Sequence, residues 1–162
     1  MPTEIGTDGG FPWRGTRRDY CLGRGPHEFI EDQVARTPNA PALIVGGDRI
    51  SYSELNARAN RMARFLREQG VEAESVVGVC LDRSFDSVIS LLAILKSGGT
   101  YLPLDPKFPK DRLAFMLADS EVPIVLTHSS DRERLPETTA RVILLDRESE
   151  QLSKFQSTNL SV

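Results

Sequence analysis

The strongest periodic signal in the chain follows Ser51. Leu55, Ala59, Met62, Ala63 and Leu66 recur at helical spacing with polar residues between them, which is the pattern of an amphipathic helix. Ser51 and Glu54 have capping-box spacing, in which each side chain satisfies a free backbone N–H near the helix start. Ile50 and Leu55 stand at the two positions of a hydrophobic staple around that cap. Gly70 is a natural left-handed stop. Stripe, cap and stop together predict a helix near 52–69.

Upstream, Ala42–Val45 and Arg49–Ile50 flank Gly46-Gly47-Asp48 and predict a small hairpin. Downstream, Val76–Leu81 is a continuous apolar run, as expected of a strand covered on both faces. Ser84 or Asp82 then caps a helix through Lys96. It is apolar nearly all round, at Val88, Ile89, Leu91, Leu92, Ile94 and Leu95, and is therefore predicted to be buried. Gly98-Gly99 ends it, and Thr100–Leu102 forms a short strand. Pro109 suits the first turn of another helix, with Leu113, Met116 and Leu117 on one face. Pro123–Leu126 and Val142–Leu145 are two further buried-type strands, with a polar stretch between them read as helix or loop. Strands alternating with helices give an α/β class with a partial, largely parallel sheet and covering helices.

Composition bounds the picture without changing it. The 162 residues are 40% hydrophobic and 27% charged, with a net charge of −3, an ordinary globular balance. A slightly acidic chain is a poor general binder of nucleic acid or anionic membrane, and neither partner is expected. No apolar run approaches the ~20 residues of a membrane span, and the start has no secretory pattern. Cys21 and Cys80 then read as reduced thiols of a cytoplasmic protein.

Residues 1–25 hold half of the twelve glycines without any period and read as a flexible lead-in or interdomain linker. Residues 26–146 carry the alternating elements, and 147–162 read as a polar, poorly periodic tail.

Little in this pattern carries chemistry. His27 and His128 have no nucleophile context and read as structural or solvated. Cys80 reads as a small core residue, and no Cys or His pair has metal-ligand spacing. Arg58, Arg61, Arg64 and Arg67 recur every three residues. They form either a phosphate-binding stripe or, more simply, a solvated face with Glu54–Arg58 and Arg64–Glu68 pairs. Lys96–Thr100 tempts as a phosphate loop, but its glycines follow a helix and precede a strand, the reverse of the required order. No residue is assigned a catalytic, cofactor-binding or metal-binding role.

Longer strings add a resemblance. Leu95-Lys96-Ser97-Gly98-Gly99-Thr100-Tyr101-Leu102-Pro103-Leu104-Asp105-Pro106, followed by Phe108-Pro109 and Arg112-Leu113, resembles the second core motif of amino-acid adenylation domains of non-ribosomal peptide synthetases. Ile50–Leu55, continued by Asn56–Arg61, resembles their first core motif. His27–Glu31 and Gln33–Pro38 resemble their opening helix, and Val76–Arg83 the strand between the motifs. Trp13–Thr16 and Asp19-Tyr20 resemble the linker from an upstream condensation domain.

The resemblance implies the adenylate-forming AMP-dependent synthetase/ligase superfamily, the start of its large N-terminal domain, and a place in secondary metabolite biosynthesis. Its reaction joins an amino acid to ATP, with magnesium, giving aminoacyl-AMP and pyrophosphate. The acyl group then passes to the phosphopantetheine thiol of a carrier domain.

The family's phosphate loop, ending Gly-x-Pro-Lys-Gly, is expected soon after Asn159-Leu160 and is not among these residues. The resemblance therefore implies a truncated adenylation domain, inactive alone and binding no cofactor itself. Its expected partner is the remainder of such a domain or a synthetase chain, with a carrier domain. Alternatives are a non-catalytic interaction module or split-enzyme half that docks on a synthetase, and, more weakly, a free-standing nucleotide-binding domain. Alone, the chain is expected to be marginally stable or to expose an apolar sheet edge.

Overall fold

The computed structural model describes residues 23–160. The lead-in expected over residues 1–25, with Cys21 and the linker-like strings, lies almost wholly outside the described residues.

The first described helix, α1 (Pro26–Arg36), precedes an antiparallel hairpin of β1 (Pro41–Val45) and β2 (Asp48–Ser51), whose turn is Gly46-Gly47. Helix α2 (Tyr52–Glu68) follows at once. Ser51 Oγ accepts the Glu54 N–H at 3.2 Å, but the reciprocal half of the expected capping box is not made. The Glu54 carboxylate turns instead to Arg58 Nε at 2.6 Å. One ionic contact on an exposed face has displaced one backbone cap.

A four-stranded sheet comes next, with β3 (Val76–Cys80), β4 (Thr100–Pro103), β5 (Ile124–Thr127) and β6 (Arg141–Leu144) in the order β4-β3-β5-β6, all parallel. Helix α3 (Phe85–Ser97) joins β3 to β4, and α4 (Lys110–Asp119) joins β4 to β5. The first crossover steps one way along the sheet and the second steps back. Right-handed connections therefore place the two helices on opposite faces. The strand parity agrees. Val77, Val79, Ile124, Leu126 and Ile143 face the cluster built with α2 and α3, while Cys80 and Val125 face Leu113 and Leu117 of α4. A Cβ at Gly78 would come within 2.9 Å of Leu104 Cδ1, so any side chain at this strand position would force Leu104 to shift.

Ser84, rather than Asp82, caps α3: its Oγ accepts the Ser87 N–H, and Ser87 Oγ accepts the Ser84 N–H. Gly98 ends α3 at φ 92°, a left-handed conformation that suits glycine. Leu91 and Leu95 are only half-buried, so the all-round apolar helix is not completely enclosed. Pro109 caps α4 instead of entering its first turn. Between β5 and β6 the polar stretch makes only a single 3-10 turn, Arg132–Arg134.

The segment read as a polar tail folds and docks. Residues Leu145–Arg147 form a 3-10 turn, α5 (Ser149–Ser153) follows, and Leu152, Phe155 and Leu160 pack on the main cluster. Phe155 meets Phe65 edge-on at 6.1 Å. Three apolar residues spread over nine positions give no visible period, which is why pattern alone does not reveal the docking.

Candidate functional site

Open parallel sheets bind ligands outside the carboxyl ends of their strands, at the point where successive connections leave toward opposite faces. Here that point lies between β3 and β5. Leu81–Ser84 leave β3 toward α3, and His128–Asp131 leave β5 toward the other face. Thr127 Oγ1 donates to the Cys80 carbonyl at 2.7 Å and ties the two strand ends together.

Several polar groups at this edge are already engaged. His128 Nε2 lies 2.9 Å from Asp86 Oδ2, so this histidine holds the start of α3 to the end of β5. Arg134 Nη1 reaches Asp82 at 3.6 Å and Asp131 at 3.5 Å. Asp131, 5% exposed, is buried beneath it. Asp146 Oδ1 accepts the Ser129 N–H at 2.9 Å, and hydrogen bonds from Ser129 hold its carboxyl below the ordinary value. Burial, reinforced by Asp131, pushes the Cys80 thiol up to about 11. A thiol that protonated is no nucleophile at neutral pH.

The edge is also poorly suited to phosphate. A shallow groove beside β4 is lined by Asp82, Asp105, Arg83, Lys107 and Arg134, with charges of both signs. At the start of α3 the Ser84 and Ser87 N–H groups are taken by the reciprocal Ser84–Ser87 pair, and no residue of the β3–α3 turn has positive φ. Among the described residues no three His, Cys, Asp or Glu side chains converge as a metal site. The residues present do not fit ATP-magnesium, and no step of that chemistry is assigned to them.

The arginine row divides. Arg58 pairs with Glu54 as expected. Arg64 does not pair with Glu68. Its Nη1 donates to the carbonyls of Gln156 (2.9 Å) and Thr158 (2.7 Å), and its Nη2 to Thr158 Oγ1 (3.1 Å). Arg67 Nη2 donates to the Lys96 carbonyl at 3.1 Å, closing the end of α3. Asn60 Nδ2 donates to the Ser157 carbonyl and Asn56 Nδ2 to Asn159 Oδ1, each at 2.8 Å. Asn56, Asn60 and Arg64 thus form one i, i+4, i+8 row that holds segment 156–159. The readable signal was two asparagines beside an apolar stripe, since buried polar side chains need partners.

A second buried polar contact joins α1 to α3. Lys96 is 1% exposed and donates to Glu31; burial lowers its pKa, opposed by the Glu31 carboxylate. His27, close by on α1, has a buried Nδ1 with no partner among the described residues, and burial, then the Lys96 charge, lowers its pKa from 6.5. The folded protein thus disfavours the imidazolium more than the unfolded chain does. Stability is full above about pH 6.5 and falls as pH drops toward the depressed folded value. We expect the melting temperature to fall between pH 7.5 and 5, and His27→Gln to flatten that slope. Glu28 and Asp32, also depressed, by Arg24, act only at lower pH.

Residues 30–161 match the family described as AMP-binding enzyme. A linear gramicidin synthase of Brevibacillus parabrevis is 45% identical over 84% of this chain. This chain spans 3% of that synthase's length. Among solved structures, the non-ribosomal peptide synthetase FmoA3, in an alpha-methyl-L-serine-AMP bound form, superposes with a TM-score of 0.75 at 32% identity, covering 83% of this chain and 15% of that one. NpsA-ThdA, an artificially fused adenylation-PCP di-domain from Klebsiella oxytoca, has a TM-score of 0.76 over 84% of this chain and 25% of its own, and at 20% identity it shows the shared fold. With sheet order, motif strings and relatives in agreement, the chain belongs to the AMP-binding enzyme family and corresponds to the N-terminal part of a non-ribosomal peptide synthetase adenylation domain.

Proposed function

We propose that these residues are the architectural front of an amino-acid adenylation domain and do not catalyse adenylation by themselves. The observation that carries this reading is the carboxyl edge of the sheet. Asp86 holds His128 there and Asp82 and Asp131 hold Arg134, and the sequence contains no glycine-rich loop to cradle phosphate. The whole-domain reaction would form an aminoacyl adenylate and pyrophosphate from an amino acid and ATP. The acyl group would then pass to a carrier's phosphopantetheine thiol. Magnesium and ATP supply charge neutralisation and the adenylyl group when bound, and residues outside this segment would hold them.

In support, FmoA3 is seen with an aminoacyl adenylate, and NpsA is joined to a PCP domain. The partner is the rest of an adenylation domain within a synthetase, working in the cytoplasm. Phe115 at 68% and Ile44 at 69% exposure are the large apolar side chains such a partner would cover.

The purified chain is expected to show no amino-acid-dependent ATP–pyrophosphate exchange with magnesium present. Fused to the remaining part of the homologous adenylation domain of the linear gramicidin synthase, the same residues are expected to support exchange. Exchange by the chain alone overturns the inactivity, and a folded but silent fusion overturns the assignment to that domain.

A further inference from the structure

Helix α1 has no fully buried residue. Ile30 packs on the main apolar cluster, and Glu31 accepts from the buried Lys96 of α3. His27 stands one turn before Glu31 on the same face of the helix. Its Nδ1 is buried without a hydrogen-bond partner among the described residues. A Cβ at Gly25 would lie 2.6 Å from His27 Cε1 and 2.8 Å from Nδ1. This ring edge is therefore packed against the glycine rather than turned toward an acceptor.

A neutral imidazole fits that seat with Nδ1 bare of hydrogen. An imidazolium does not, because both ring nitrogens must then donate and a buried donor without a partner is costly. The surrounding charges sharpen the contrast. From α3, the Lys96 ammonium repels a second positive charge. From α2, Arg64 adds its charge at the Lys96 end, and Arg67 closes the Lys96 carbonyl. On α1 itself Glu28 and Glu31 attract the cation, but both are already engaged. Glu28 binds Arg24 and the Gly25 N–H, and Glu31 binds Lys96. His27 also lies in the first turn of α1, where the helix dipole disfavours a cation.

We propose that α1 is an acid-released latch: protonation of His27 lifts this helix off α2 and α3 while the four-stranded sheet stays folded. The helix moves as a unit because Arg24 reaches Glu28 and Asp32, each at 2.9 Å, and ties its first turn to its second. Release carries Glu31 away from Lys96 and uncovers the ammonium and the apolar surface beneath Ile30. The sign follows from proton linkage. Released, His27 takes a proton near its ordinary 6.5; docked, it takes one only at lower pH. Docking is therefore full above about pH 6.5 and weakens as pH falls toward the depressed value.

The test is hydrogen exchange of the Asp32–Arg36 amides in the full chain at about pH 7.5 and about pH 5.5, each rate divided by the intrinsic rate at that pH. Protection of α1 is expected to fall roughly fivefold or more, the low end of what an unpartnered buried donor costs. The β3 amides are expected to keep theirs. His27→Gln, which takes no proton, is expected to abolish the fall. The comparison of α1 with β3 decides the matter even if that variant does not fold. Protection of α1 that is the same at both pH values overturns the proposal, as does an equal fall at β3, which is opening of the whole chain. Loss confined to Ile30 and Glu31 also overturns it, because only the first turn then frays. So does a fall that persists in His27→Gln.

Discussion

Glu31→Ala is expected to lower unfolding stability by about 3 kcal/mol, the low end of the cost of leaving a buried charge without its partner. Lys96 is 1% exposed, so it has no route to water when the carboxylate is removed. Glu31 is 20% exposed, and water admitted there is the reason for choosing the low end. For a domain of this size the loss corresponds to a fall of roughly 10 °C in melting temperature.

The remedy distinguishes a lost charge pair from lost packing. Lys96→Met alone leaves a carboxylate that can hydrate, and should cost far less than Glu31→Ala. Lys96→Met combined with Glu31→Ala removes both ions and should recover most of the stability, as buried pairs replaced by apolar residues generally do. Thermal melts of the two single variants and the double variant at neutral pH read this directly. A double variant as unstable as Glu31→Ala would show that α1 is held by something other than charge.

Arg64→Ala is expected to release segment 156–160 from α2. Arg64 makes three hydrogen bonds of 3.1 Å or shorter to Gln156 and Thr158, and charged hydrogen bonds contribute about 1.5–3 kcal/mol each when buried. These are solvent-accessible, so water takes over part of the loss, and a net cost of about 2 kcal/mol is expected. That is a roughly 30-fold rise in the open population of the segment. Proteolytic cleavage within segment 156–159 should quicken by up to that factor, while β3 stays protected because it belongs to a different cooperative unit. Arg64→Lys should fall between, since an ammonium cannot span carbonyls that a planar guanidinium reaches together. Unchanged cleavage in Arg64→Ala would mean that Asn56, Asn60 and the Phe65–Phe155 contact hold the segment without it.

Both variants act through residues that local pattern does not single out. Lys96 stands inside a motif whose glycines draw attention, and nothing nearby marks a lysine at the end of an apolar helix as buried. Arg64 has a carboxylate four residues on, at Glu68, and i,i+4 pairing is the economical expectation. It loses to three carbonyl and hydroxyl acceptors that arrive from more than ninety residues away. Glu54–Arg58, where nothing distant competes, forms as expected. The difference between those two arginines is the difference between a free surface and a covered one.

What was legible in the chain by itself is everything decided within a turn or two of backbone. The stripe of α2, the Ser51 and Ser84 caps, the Gly46-Gly47 hairpin, the Gly98 stop and the apolar strands depend on neighbours in sequence. All appear where pattern and turn chemistry put them. The motif strings likewise carried the family, because they record residues in order. The tertiary structure alone decided the partners of Asn60, Arg64, Lys96 and Asp86 and the docking of Leu152 and Phe155. Those choices pit water against acceptors that only folding brings close, and no local spacing encodes which of them arrives.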